Sequence, residues 1–461
     1  MYQINKTQGG FDMESKKKVP TLNKVAYGIG TGGGCIFNQI VAAFLLNYYT
    51  DTVLIGAGAI ATMFLVCRIF DGVTDLVMGG IVDKTSSRLG KARPWLIASA
   101  PLTLLGIVLL MNVPAGLGET GKLAYAYITY IFMNCIVYTI YGISNTALLP
   151  LMTHDKNEST MLATFSALGN NIIGLLAGSL ITPLVLNFGW KTSSVILGGA
   201  ACVLILISGL LNKEMESMEE GRQRASVPMS EQLPATLKNK YFWLLLLLGA
   251  FSLIMNANAI GAQIFYCNMV LKNPMFMSVL MTAGQLPGIL ILFLMPAISK
   301  KWNKKTFLLM GAVLIIAGFA ITGLAGENTT MIVVGTVIRS LGVGPILSAV
   351  FALVPDVVEY GNWKFGIRSE GLISSAQSIE SKIGIGVGSA LTGWILAAVG
   401  YNPVAEPTQA VINAVKFDYT WMGVILGIII LVIVLLLDVE KLLSDDEAED
   451  VKKITEELQN G

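Results

Sequence analysis

Arg68–Gly80 reads RIFDGVTDLVMGG, and two aspartates, Asp71 and Asp75, interrupt an otherwise apolar run. That run extends from about Val53 to Val82, long enough to cross a bilayer, which takes about 20 helical residues. Both acids therefore lie at membrane depth, where a carboxylate costs about 2.5–3.5 kcal/mol on insertion scales. A spacing of four residues places the two side chains on one helix face. Hard oxygen donors paired in this way suit a small cation, Na⁺ or H⁺. Arg68 lies three residues before Asp71, so an ion pair within the helix competes with that reading. Two acids and one base still leave a negative charge that Lys382 or a bound cation has to balance.

The rest of the chain agrees with a membrane setting. Apolar residues make up 54% and charged residues only 13%, against about 25% charged in soluble domains. The expected fold is an all-α membrane protein with twelve spans. They lie near 26–49, 53–82, 95–114, 122–152, 161–187, 193–211, 242–270, 276–298, 306–325, 330–354, 372–399 and 418–438. The longest polar stretch between spans, 212–240, separates a six-helix half (26–211) from a second one (241–438). A polar N-terminal segment (1–25) and a charged tail (439–461), read as a helix, flank them.

Lys and Arg sort by loop. Lys122, Lys191, Lys272 and Lys416 fall on one side, and Arg68, Arg339 and Lys382 lie inside spans. The others fall on the side of both termini, which the positive-inside rule makes cytoplasmic. No cleavable signal pattern precedes the first span. The five cysteines form no Cys-x-x-Cys pair and read as small buried hydrophobes. The glycine cluster YGIGTGGG (27–34) reads as a site of close helix packing rather than a phosphate loop. A net charge of +1 gives no sign of a nucleic-acid partner.

RIFDGVTDLVMGGIVDKTSSRLGKARPW (68–95) resembles the signature of the glycoside-pentoside-hexuronide:cation symporters, a branch of the major facilitator superfamily. Three further stretches are similar: YGIGTGGGCIFNQIVAAFLLNYYTD (27–51), YTIYGISNTALLPLMTHDKNES (138–159) and VPDVVEYGNWKFGIRSEGLISSAQSIESKIG (354–384). The resemblance implies two six-helix bundles that alternate access to a midplane site. It implies symport of a sugar or glycoside with Na⁺ or H⁺ in the inner (plasma) membrane, without a cofactor; a monomer is the expected state. Asp71 and Asp75 stand at the family's cation-site positions. Thr74 replaces an amide there, Thr139 matches a neighbouring hydroxyl, and Lys382 matches a lysine near the carboxylates. Departures are equally clear. The acids that grip sugar in galactoside-carrying members are Cys35 and Gly142 here, an arginine is Ser166, and a ring-stacking aromatic is Thr146. The pocket is therefore not of the galactoside type.

Intramembrane amides and phenols suit a polyol, and they occur at Asn38, Asn134, Tyr138, Tyr141, Asn145, Asn170, Asn256, Asn258, Gln263, Gln285 and Gln377. Asn38, Tyr138, Tyr141, Asn145 and Gln377, with Lys382, are the substrate-binding candidates. Such residues also join helices, at about 0.6 kcal/mol each. Arg339 is expected to pair with a buried acid or to snorkel. Mixed charges at Asp83, Arg88 and Arg93, and at Asp356, Glu359 and Arg368, read as an inner gate of ion pairs. An amphipathic, lysolipid-like cargo is the alternative reading. An enzyme is disfavoured: the one histidine, His154, lies in a loop, and no His-Glu-x-x-His motif occurs.

Overall fold

The computed structural model describes residues 18–153, 155–215, 229–298, 303–367, 369–439 and 442. These are helical with no strand among them. The helices are α1 (Thr21–Gln39), α2 (Ala57–Lys84), α3 (Arg93–Leu110), α4 (Glu119–Ile131), α5 (Thr139–Met152), α6 (Lys156–Leu211), α7 (Met229–Lys238), α8 (Lys240–Phe265), α9 (Phe276–Ile298), α10 (Lys304–Leu324), α11 (Thr329–Ala352), α12 (Val354–Phe365), α13 (Glu370–Ala398), α14 (Gln409–Lys416) and α15 (Met422–Leu436). Nine stretches among the described residues are long and apolar enough to cross a membrane. Several cover more than one expected span. The 56-residue α6 turns at Gly189, whose φ of 72° and ψ of 169° are not helical. Glycine alone adopts that conformation without strain.

The helix boundaries refine the sequence expectations. The first helix starts at Thr21, five residues inside the stretch read as a polar leader, because Lys24 is buried by an ion pair with Glu158 at 2.8 Å. Part of the stretch read as a central loop is helical, as α7. The helix expected in the tail lies almost wholly outside the described residues.

By internal contacts the chain forms two units, Met1–Tyr48 with Ile69–Glu220, and Tyr49–Arg68 with Gly221–Gly461. In the first, α1 packs along α6, and α3 packs on α6 and α5. The glycine cluster makes the first of these contacts possible: a Cβ on Gly32 would lie 2.7 Å from the Gly169 carbonyl oxygen. In the second, α10 packs on α11 and α15, and α8 on α13. Its core holds Tyr241, Leu245, Ile315, Phe319 and Ile430.

Among the described residues five short stretches are π-helical: Ile40–Leu45, Tyr48–Thr52, Phe132–Tyr138, Tyr266–Val270 and Phe417–Trp421. A π turn inserts a residue into the i→i−4 ladder and re-aims the side chains that follow, which is why such turns gather at functional sites. Phe132–Tyr138 leads directly into Thr139, and Phe417–Trp421 carries Asp418 and Tyr419.

Candidate functional site

The structure brings three of the four cation-site candidates together in the first unit. Asp71 on α2 is buried, with 6% of its surface exposed. The Thr139 hydroxyl, at the start of α5, donates to Asp71 Oδ1 at 3.2 Å. It also lies 3.3 Å from Thr74 Oγ1, which donates back to the Asp71 carbonyl at 3.2 Å. Asp75 follows one turn later and is half-buried. Oxygens about 3.3 Å apart match one edge of the shell around a cation of calcium's size, whose ligands stand at about 2.3–2.6 Å; Na⁺ is of that size. No group of three or more His, Cys, Asp or Glu side chains suited to a metal occurs among the described residues. Any cation here would therefore rely on carboxylate and hydroxyl oxygens. A Cβ added at Gly72 or Gly142 would meet nothing within 4 Å. The space beside Asp71, and one turn beyond Thr139, is open.

Beside this cluster, Asn38 Nδ2 donates to Tyr138 Oη at 2.6 Å. The Tyr138 ring packs 5.1 Å from Phe37 and 5.7 Å from Tyr141. Tyr141 and Asn145 are turned to a different use. Tyr141 is buried, and its hydroxyl sits 3.0 Å from the Gly30 carbonyl oxygen and 3.1 Å from that of Thr31. Asn145 Nδ2 donates to Thr31 Oγ1 at 3.2 Å, and that oxygen lies 3.0 Å from Ser166 Oγ. Tyr27 donates to the Asn145 carbonyl at 2.9 Å. Tyr27, Thr31 and Ser166 thus tie α1, α5 and α6 together, a role their sequence positions leave unmarked beyond the four-residue spacing of the first two. Asn145 Oδ1 is buried with no hydrogen-bond partner among the described residues.

In the second unit Gln377 and Glu380 are buried on α13, and Lys382 on the same helix is half-buried. Gln377 Nε2 and Glu380 Oε1 lack partners among the described residues. The Glu380 carboxylate rests on Gly249 of α8, where a Cβ would stand 2.4 Å from Oε1. Arg339 corrects its sequence expectation. It is 9% exposed and pairs with no carboxylate among the described residues; its guanidinium lies 4.7 Å from the Phe319 ring centre and 5.7 Å from that of Tyr419.

The gate candidates divide. Asp83, Arg88 and Glu359 are exposed. Asp356 pairs with Lys304 Nζ at 2.7 Å, a partner its sequence cluster does not contain. Arg368 lies outside the described residues. Arg93 donates to main-chain carbonyls, from Nε to Gly209 at 3.1 Å and from Nη2 to Leu210 at 3.4 Å. It thereby caps the C-terminal end of α6, where a cation is favoured. The reciprocal contact comes from Glu214, just past α6. Its carboxylate accepts from the main-chain N–H of Lys91 at 2.7 Å and from those of Ala92 and Arg93 at 2.9 Å. Glu214→Ala leaves three amides at the start of α3 without that acceptor. A lost N-cap costs about 0.5–2 kcal/mol, so the expected result is a lower midpoint of thermal unfolding in detergent, with Glu214→Gln intermediate. Gly90→Ala is expected to fall further, because Gly90 has φ +106° and a Cβ there would press on the same carboxylate at 2.3 Å.

Outside the spans, Tyr401 Oη donates to Asp51 Oδ1 at 2.8 Å, and Asp51 also accepts from Thr50 Oγ1 at 2.7 Å. Burial, and then the Asp51 charge, push the Tyr401 hydroxyl well above the usual phenol range. It stays a donor at any physiological pH, fixing the Tyr48–Thr52 turn to the loop after α13.

The chain is also similar to known proteins. Residues 26–441 match the family described as MFS/sugar transport protein. The isoprimeverose transporter of Lactiplantibacillus pentosus is 28% identical over 89% of this chain and 87% of its own length. The glucuronide carrier protein homolog of Escherichia coli (strain K12) is 28% identical over 85% of this chain and 87% of its own. Among solved structures, the nucleoside transporter NupG has the same fold, with a TM-score of 0.62 over 90% of this chain and 99% of its own at 15% identity. A transport family, many apolar helices and a major facilitator fold together describe a multi-pass membrane transporter, not an enzyme. The chain belongs to the MFS/sugar transport protein family, in its glycoside-pentoside-hexuronide symporter branch.

Proposed function

We propose that this protein imports a sugar or glycoside together with Na⁺ or H⁺, held by Asp71 and Asp75 with Thr74 and Thr139. The observation that carries the reading is the buried Asp71 carboxylate with the Thr139 hydroxyl 3.2 Å away and Thr74 beside it. A carboxylate is not kept at membrane depth without a compensating cation or proton. The architecture we propose is twelve spans in two six-helix bundles, with both termini cytoplasmic in the inner membrane. Asn38 and Tyr138, an amide and a phenol in the first unit, and Gln377 and Lys382 in the second are the proposed substrate-binding residues. Relatives named for isoprimeverose and for glucuronide support a sugar as cargo. The ion neutralises the acid pair and favours the state that binds sugar. Each ligand then tightens the other by the same factor, and the ion gradient drives accumulation. Asp83, Arg88 and Arg93 in the first unit, and Asp356, Glu359 and Arg368 from the second stretch of sequence, are the proposed gating residues of a monomer.

Membrane vesicles loaded by the protein and given labelled glycosides test this. Accumulation under an imposed Na⁺ gradient, or under a proton gradient in sodium-free buffer, is the expected result and names the ion. Equal equilibration without accumulation under either gradient would reject coupling, and no glycoside entry at all would turn attention to an amphipathic cargo.

A further inference from the structure

Arg339 is a buried cation that no acid neutralises among the described residues. It lines a small pocket within the second unit, of about 60 Å³. Asn256, Gln263, Gln285 and Ser340 line the same pocket. No carboxylate among the described residues stands within ion-pair distance of the guanidinium. Asp418, next to Tyr419, is engaged elsewhere, accepting from Asn258 Nδ2 at 3.1 Å. Glu380 faces Gly249.

What surrounds Arg339 holds the charge with aromatic side chains rather than with an acid. Phe319 and Tyr419 present ring faces at 4.7 and 5.7 Å, and such contacts stabilise a guanidinium while leaving its N–H fork open. Gly284 gives room at the fork: a Cβ there would come only to 3.8 Å from Nη2. Gln263 is 2% exposed, and its Nε2 has no hydrogen-bond partner among the described residues. Ser340 is spoken for, accepting from Gly288 N at 3.0 Å and donating to the Gly284 carbonyl at 2.7 Å. The pocket therefore offers an unneutralised guanidinium and an unpartnered amide N–H, both donors. Buried donors of this kind are normally matched by an acceptor, and two oxygens of an oxyanion can accept a guanidinium fork in bidentate fashion.

We propose that Arg339 and Gln263 form a binding site for a small oxyanion group, a carboxylate or sulfonate, with Asn256 and Gln285 at its rim. The group is carried either on the transported molecule, as in an acidic sugar, or as a free small anion. The first case refines the sugar-transport reading and rests on it.

Calorimetry on the purified full chain in detergent separates these. The probes are methyl glucuronide, its neutral counterpart methyl glucoside, acetate and methanesulfonate. The proposal expects methyl glucuronide or a free anion to bind at least tenfold more weakly to Arg339→Gln, and several-fold more weakly to Gln263→Leu, which keeps the charge. Arg339→Lys retains binding in part. Tighter binding of methyl glucuronide than of acetate or methanesulfonate assigns the anion to the cargo; comparable binding of all three assigns a free anion. No binding of any anionic probe to the natural chain overturns the proposal. So does unchanged affinity in both Gln263→Leu and a folded Arg339→Gln. Ion-driven uptake of the neutral glucoside, measured on the same preparation, tests the transport reading separately, since it needs no oxyanion site.

Discussion

Asp71→Asn is expected to abolish ion-driven accumulation while leaving the protein folded, and slightly more stable. Asparagine keeps the volume of aspartate and an Oδ1 that accepts from Thr139, so the 3.2 Å contact can persist. What disappears is the charge. A neutral amide at membrane depth is cheaper than a carboxylate, which predicts an unchanged or higher unfolding midpoint. A hydrogen bond to a charged group is worth about 1.5–3 kcal/mol. Thr139→Ala, which removes one hydroxyl and leaves the charge, should therefore weaken half-saturation by the ion about tenfold or more without abolishing transport. Asp75→Asn should also abolish accumulation. The sign of the stability change separates the two readings of the aspartate pair. If Asp71 serves only to neutralise Arg68 on its own helix, Asp71→Asn strands a cation and the midpoint falls, while accumulation survives. Uptake into vesicles and thermal unfolding, measured on the same preparations, give both numbers.

How far the sequence reached can be seen residue by residue. The long apolar runs and the aspartates of 68–80 are enough for an all-helical membrane chain and for a candidate cation cluster, because an acid in an apolar span is rare. Thr139 was reached only through family resemblance; the feature that aims it, the π turn at Phe132–Tyr138, leaves no mark in composition. Tyr141 and Asn145 look alike in sequence to Tyr138 and Asn38, all being polar side chains on apolar helices. Which of them faces a neighbouring helix is decided by the rotation of each helix, and a rotation of one residue changes the answer. For Arg339 the sequence suggests a buried acid partner or snorkelling to an interface; the rings of Phe319 and Tyr419, distant in sequence, pack on it instead. Glu214 and Lys304 act through main-chain amides and a distant acid, contacts that exist only once the helices are placed.

Gly169→Leu is expected to leave no monodisperse protein after extraction. A Cβ at Gly169 would lie 1.9 Å from the Gly28 carbonyl oxygen, and one at Gly28 would lie 2.4 Å from the Phe165 carbonyl oxygen. Both obstacles are main chain, so no rotamer change relieves them and α1 and α6 must separate. Overpacking that side chains can absorb costs about 1–3 kcal/mol; this one moves a helix. Gly169→Ala should already lower the unfolding midpoint sharply. Gly199→Ala, on the same helical run with nothing within 4 Å of the added carbon, should be neutral in size-exclusion profile and midpoint. Equal behaviour of Gly169→Ala and Gly199→Ala would show that α1 and α6 do not approach this closely. The consequence reaches the site. In a bilayer the hydrophobic effect does not press helices together, so small residues that let backbones meet supply much of the packing. The meeting of α1 with α6 aligns Thr31 with Ser166 and Asn145, and Asn38, two turns further along α1, reaches Tyr138 from that fixed position. A milder variant that still folds, such as Gly33→Ala, whose added carbon would stand 3.0 Å from Ile205 Cγ1, should therefore weaken sugar affinity more than ion affinity, because the α1–α5 contact is displaced while Asp71 and Thr139 lie on α2 and α5.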